Sequence, residues 1–192
     1  MTHPDTRKGE RPVPDSNRRR WLQASTGALA LAWAGEALSQ AASAAAEEAM
    51  APPMPPLGSV PRVPPIALLG GGDFDPVQSR GHFLLVYWWS STCPFCALQS
   101  PSMETFWRQH RSRGLQMLAL SIDRKPELAS AYLAQKGYTF PSAWASPVWR
   151  RDFPKPKGLP VTVLCGRDGR VLLAEKGQMF AEDIEAMAQL MV

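Results

Sequence analysis

The chain holds 192 residues, 45% hydrophobic, 20% charged and 9% aromatic, a globular balance with material for one domain and its own core. Three cysteines exclude a disulfide-stapled miniprotein and leave each thiol to be weighed for reactivity. The net charge of +4 splits evenly, six Lys/Arg against four Asp/Glu over residues 1–44 and fifteen against thirteen beyond, which makes no case for nucleic acid.

At the N-terminus, Asn17-Arg18-Arg19-Arg20-Trp21-Leu22 precedes an uncharged Ala/Leu-rich run over 24–35. That run is short of the roughly 20 residues a membrane span needs. Small residues follow, and Ala42-Ser43-Ala44 suits an A-x-A cleavage site. The arginine cluster resembles the twin-arginine export motif, with Trp21 where that motif usually has Phe and Gln23 where it often has Lys. Residues 1–44 are therefore expected to be a twin-arginine-type signal peptide. The alternative is a basic arm and amphipathic helix on a cytosolic protein. Export would place the cysteines in an oxidising periplasm, with membrane contact only through the signal segment if it is uncleaved. Seven of the 19 prolines lie between Pro52 and Pro65. Residues 45–59 thus read as an extended Pro/Ala-rich linker that buries little, and residues 60–192 as the folded domain.

In that domain, Phe83 to Trp89 is an unbroken apolar and aromatic run, the signature of a strand buried on both faces. One of Trp88 and Trp89 is expected in the core. Pro94 to about Arg111 reads as a helix with Phe95, Leu98, Phe106 and His110 near one face. Leu115 to Ile122 is a second buried strand. Pro126 opens another helix through Leu128, Tyr132 and Leu133, and Gly137 can end it. After a loop rich in Trp, Arg, Lys and Pro, Val161–Cys165 and Val171–Ala174 form a hairpin about Gly166-Arg167-Asp168-Gly169. Ala181 to Met191 closes the chain as an amphipathic helix. The order implies an α/β domain, a mixed central sheet with helices on both faces and an N-terminal extension.

Cys93-Pro94-Phe95-Cys96 stands where the first buried strand hands over to a helix. A helix N-terminus supplies unpaired N–H groups and a partial positive charge, so Cys93 can hold a thiolate there. Cys96 lies nearly one turn further on the same side, close enough for a disulfide yet shielded. Pro94 suits the first turn because its missing N–H costs nothing. Two other readings remain, a metal site and two inert core cysteines. Zinc wants four Cys/His ligands, and the remaining candidates, Cys165, His82 and His110, show no paired spacing.

The segment Leu85 to Cys96 resembles the active-site segment of thioredoxin-like proteins, and Gly158-Leu159-Pro160-Val161-Thr162-Val163-Leu164 resembles their second signature. Leu68 to Trp89 and Leu120-Ser121-Ile122-Asp123 are similar to the exported TlpA/ResA-type branch. The resemblance implies a thioredoxin fold over about residues 60–192. It further implies a nucleophilic Cys93, a resolving Cys96 that forms a disulfide with it, and a cis Pro160 whose loop binds client backbone. Thr92, Pro94, Phe95 and Leu159 would frame the client site. The family's acids are replaced: Tyr87 stands where thioredoxins carry Asp, and Gln99 where TlpA/ResA-type proteins often carry Glu. Cys96 is therefore expected to lack a carboxylate partner.

The expected activity is thiol–disulfide exchange by a monomer without a cofactor or metal, acting on client protein disulfides or thiols and recharged by a redox partner. A thiol peroxidase of the same superfamily is the second reading, although Thr92 adjoins Cys93 and the P-x-x-x-T-x-x-C pattern is absent. A copper- or zinc-handling module is the third. Cys165, five residues past Pro160, is expected to be a small buried hydrophobe roughly 16 Å from the redox end. His82 is expected at the surface. Residues 149–157, with four positive charges to one negative, read as a solvated loop, or else as a segment that selects acidic clients or helps hold the Cys93 thiolate.

Overall fold

An apolar strand with no polar alternation must be covered twice, and Phe83–Trp89 is buried at every position. The computed structural model describes residues 48–192 together with Ala42, Ala45 and Ala46. The signal-peptide expectation, with its Arg18 and Arg19, lies outside the described residues. In chain order the strands are β1 (Ile66–Ala67), β2 (Asp73–Phe74), β3 (Phe83–Trp89), β4 (Leu115–Ser121), β5 (Ser142–Trp144), β6 (Val161–Cys165) and β7 (Val171–Lys176). The helices are α1 (Pro94–His110), α2 (Pro126–Lys136) and α3 (Ala181–Ala186), the last running on as a 3-10 turn over Met187–Leu190.

Five strands form one mixed sheet in the order β5-β4-β3-β6-β7. The β5-β4-β3 half is parallel, and β6 and β7 join it antiparallel. The small β1–β2 hairpin and β5 were not anticipated. Strands of two or three residues carry too little alternation to register as a pattern.

The core has two layers because alternate β3 side chains point to opposite faces. Phe83, Leu85, Tyr87 and Trp89 face a cluster that takes in Cys96, Met103 and Phe106 of α1, Ala129 of α2 and Ile184 of α3. Leu84, Val86 and Trp88 face Val63, Ile66, Phe74, Trp149 and Phe153. The mixed sheet is as expected, but α1, α2 and α3 all cover one face. Helices on both faces are corrected to this extent: the other face is closed by the loop that holds the 3-10 turn Trp149–Arg151. The reason is topological. The β3-α1-β4 and β4-α2-β5 crossovers step the same way across the sheet, and right-handed crossovers then put both helices on one side.

Both tryptophans are core, Trp88 on one face and Trp89 on the other. Trp88 stacks on Phe153 at 5.8 Å and tilts against Trp149 at 6.2 Å, contacts worth about 0.5–1.5 kcal/mol each beyond area burial. Residues 149–157 are therefore a packed cover on this layer. Lys155 is buried, donating from Nζ to Glu48 and to the carbonyls of Pro156 and Gly158. The linker is likewise laid down, since Gly58 and Ser59 exchange backbone hydrogen bonds with Val171.

Pro94 opens α1 at N1, and Pro101 is accommodated within it. Its buried face is Cys96, Gln99, Ser100, Met103, Glu104, Phe106 and His110. Phe95 and Leu98 point outward, 56% and 63% exposed, which corrects the expected apolar face. Polar Gln99, Ser100 and Glu104 hold the inner positions because each finds a hydrogen-bond partner there. Gly137 ends α2 at φ 68°, a conformation glycine adopts without a Cβ penalty.

Candidate active site

The central strand ends at Trp89, and the turn Ser90-Ser91-Thr92 delivers the chain into α1. Cys93 is the N-cap, in extended conformation, and the backbone N–H of Cys96 donates to its sulfur at 3.2 Å. A sulfur in the N-cap acceptor position lies among the unpaired amides of the first turn, where negative charge is favoured. Cys93 is half-buried, whereas Cys96 is 1% exposed. Burial pushes the Cys96 thiol far above the ordinary cysteine value, and neighbouring Cys93 adds to this. One thiol therefore faces solvent while its partner is held protonated behind it. Both are free here.

The Leu159–Pro160 peptide is cis. Val161 is paired with Trp88 in the antiparallel β3–β6 ladder, so Pro160 stands one step further, level with Trp89 and the start of the cysteine turn. Gly177 donates to the Pro160 carbonyl at 2.9 Å. Thr92, Pro94 and Phe95 are exposed, and Thr92 Oγ1 lies 3.1 Å from Ser90 Oγ. Leu159 is half-buried, packed against both core layers. Cys93, Cys96 and the cis-proline loop thus lie at the same end of the neighbouring inner strands β3 and β6.

The two positions that replaced family acids have other work. Tyr87 Oη is 3.0 Å from Ser100 Oγ and donates to the Cys96 carbonyl at 3.4 Å. Gln99 Nε2 donates to Thr162 Oγ1 at 2.9 Å, and its Oε1 accepts the Met179 N–H at 2.8 Å. Gln99 is a clasp between α1, β6 and the segment before α3.

A carboxylate does stand under the cysteine turn. Sequence reasoning had Asp123 only as the end of a family-like segment and missed this placement. Asp123 is 6% exposed. Its Oδ1 accepts Ser90 Oγ at 2.6 Å and the Ser91 N–H and Oγ at 3.0 and 2.9 Å, while Oδ2 accepts Ser121 Oγ at 2.9 Å. The available signal was an acid just past a buried strand, facing a Ser-Ser-Thr turn with hydroxyls to spare.

Cys165 is buried and pairs with Leu84, at the far end of β3 from the turn. Burial raises its thiol to about 11, with Asp168 contributing. It borders a cleft of about 710 Å³ edged by Arg62, Arg80, His82 and Arg167, remote from the CxxC pair. His82 is exposed, as expected. Among the described residues, no group of three or more His, Cys, Asp or Glu side chains could hold a metal ion.

A half-exposed and a buried thiol at a strand-to-helix junction beside a cis-proline define a thioredoxin-fold thiol–disulfide oxidoreductase. The family model described as AhpC/TSA family matches residues 64–173, more than half of the chain, and the chain belongs to that family. It is 20% identical over 122 residues to the thiol-disulfide oxidoreductase ResA of Halalkalibacterium halodurans, covering 64% of this chain and 69% of that one. StoA from Bacillus subtilis superposes with a TM-score of 0.58 at 20% identity, over 67% of this chain and 98% of StoA. A Chlorobium tepidum protein assigned as a thiol:disulfide interchange protein DsbE gives 0.59 at 27% identity, over 70% and 95%.

Proposed function

We propose that this thiol–disulfide oxidoreductase works on client proteins in the periplasm, with Cys93 as nucleophile and Cys96 as resolving thiol. The carrying observation is the Cys96 N–H donating to Cys93 Sγ at 3.2 Å at the start of α1, with the Cys96 thiol buried behind.

In the reductive direction, the Cys93 thiolate attacks one sulfur of a client disulfide. The Cys93–client bond forms, and the client's other sulfur leaves as a thiolate and takes a proton. Cys96 then gives up its proton and attacks Cys93 Sγ. The mixed disulfide breaks, Cys93–Cys96 forms, and the client departs with both sulfurs reduced. Two electrons have moved, and a second dithiol partner must return them. The oxidative direction is the reverse. Because burial holds Cys96 as a thiol, its deprotonation is the demanding step.

The client is expected to lie extended against Leu159-Pro160, with Thr92, Pro94 and Phe95 touching it. Phe95, 56% exposed, offers a rigid apolar contact beside the reactive sulfur. Export through the Arg18-Arg19 signal would place the pair where disulfides persist.

The test is trapping. Cys96→Ser should accumulate a Cys93–client mixed disulfide on non-reducing gels, while Cys93→Ser should accumulate none. Equal trapping by both variants would overturn the role assignment.

A further inference from the structure

We infer that Asp123 is the positioning residue of this active site: its carboxylate grips the Ser90-Ser91-Thr92 turn and thereby sets the geometry of both cysteines. The inference rests on the reading of Cys93 and Cys96 as the exchanging pair.

The turn has little else to hold it. It leaves the sheet after Trp89 and must place Cys93 at the N-cap, with Thr92 exposed. Asp123 is fixed from its own side by Ser121, whose Oγ donates to Oδ2 at 2.9 Å and accepts the Asp123 N–H at 3.1 Å. Its carbonyl accepts Trp144 Nε1 at 2.7 Å, so the residue is anchored to β4 and β5. From that anchor it takes the Ser90 hydroxyl at 2.6 Å and both the N–H and hydroxyl of Ser91.

Ser90 then holds Cys93 directly and Cys96 through it. Its carbonyl accepts the Cys93 N–H at 3.2 Å, and Cys93 Sγ in turn accepts the Cys96 N–H at 3.2 Å. Its hydroxyl, oriented by Asp123, also accepts the Thr92 N–H at 3.3 Å. The chain of contacts runs from β4 through a buried carboxylate to Ser90, to the Cys93 backbone, and from the Cys93 sulfur to the Cys96 N–H. Buried charges persist where every lone pair is used, and here most of the accepted bonds come from the turn that carries the thiols.

If grip is what matters, an amide should do much of the work of the carboxylate. In D123N the remaining side-chain oxygen would still accept from Ser90 and Ser91, while the new amide could donate to Ser121 Oγ. Alanine would release the turn. The bond at risk downstream, from the Cys96 N–H to the free Cys93 sulfur, belongs to the dithiol form, so release should favour the disulfide.

The experiment compares wild type, D123N, D123A and S91A. The readouts are the Cys93/Cys96 redox equilibrium against glutathione, kcat and KM for insulin-disulfide reduction, and urea unfolding of the oxidised and reduced forms. D123A is expected to shift the equilibrium at least fivefold toward the disulfide and to cut kcat about tenfold, with KM less affected. S91A should move both in the same direction by less, and D123N should recover most of the loss. Wild-type values in D123A would overturn the inference. So would D123N falling as far as D123A, since charge rather than grip would then be responsible. Should D123A fail to fold, S91A and D123N decide: no shift in S91A, or a full tenfold loss in D123N, refutes it. A wild type without dithiol turnover would instead sink the proposed function, a different outcome from an active wild type matched by D123A.

Discussion

Replacing Glu104 with alanine should destabilise the domain by about 3 kcal/mol. Glu104 sits on the buried face of α1 and is 8% exposed. One carboxylate oxygen accepts Thr139 Oγ1 at 2.6 Å and Arg108 Nε, and the other accepts the N–H groups of Thr139 at 2.8 Å and Phe140 at 3.1 Å. It therefore closes the chain leaving α2. Phe140 is 3% exposed, and stranding its N–H costs roughly 1–3 kcal/mol, with about 1.5 more for the charge-assisted bond from Thr139 N. The Arg108 pair adds little, because that side chain is 55% exposed. Glu104→Gln should cost less, since one oxygen can still serve both backbone amides. Burial alone would raise the Glu104 pKa, but the bonds from Thr139, Arg108 and Phe140 win and hold it below the usual 4.5. A depressed carboxyl contributes stability that is complete above its unfolded value and lost as pH falls through its folded value. Urea unfolding of wild type and both variants between pH 3 and 7 is the assay. Glu104→Ala should be less stable at neutral pH and should lose part of the acid-side decline below about 4.5. A difference under about 0.5 kcal/mol at pH 7, or an unchanged acid limb, would refute the reasoning.

Cys165 should be inert in the folded chain. With its thiol raised to about 11 from 9.0, alkylation of a Cys93→Ser/Cys96→Ser variant at pH 8 should run roughly a hundredfold slower than in urea, by thiolate fraction alone. A native rate within tenfold of the unfolded one would contradict the burial argument. Replacing both Arg18 and Arg19 by lysine should leave the precursor in the cytoplasm; fractionation showing unchanged export would remove the twin-arginine assignment.

The long buried strands and the cysteine pair were legible because each leaves a local mark, an apolar run or a fixed spacing. The cis form of Pro160 came only through the family resemblance, since the residues themselves do not dictate it. What stayed hidden depends on partners distant in sequence. Asp123 and Glu104 look like ordinary surface acids until Ser90, Ser91, Thr139 and Phe140 arrive from elsewhere in the chain. Phe95 and Leu98 suggested a core face by hydrophobicity, yet the inner positions of α1 are partly polar because Tyr87, Thr162 and Met179 supply hydrogen bonds there. Residues 149–157 read as a solvated loop by charge, while Trp149 and Phe153 within it close on Trp88.

The antiparallel docking of β6 on β3 has a consequence for how the molecule reaches its working state. Its register joins Leu84 to Cys165 and Trp88 to Val161, pairs far apart along the chain, and such contacts form late and slowly. Until they do, β3 lacks a neighbour on one edge, Cys165 is open to solvent, and the cis-proline loop is not beside the cysteines. The same docking step that completes the site also withdraws the third thiol. The interval in which Cys165 could pair wrongly with Cys93 or Cys96 therefore closes when the site is assembled.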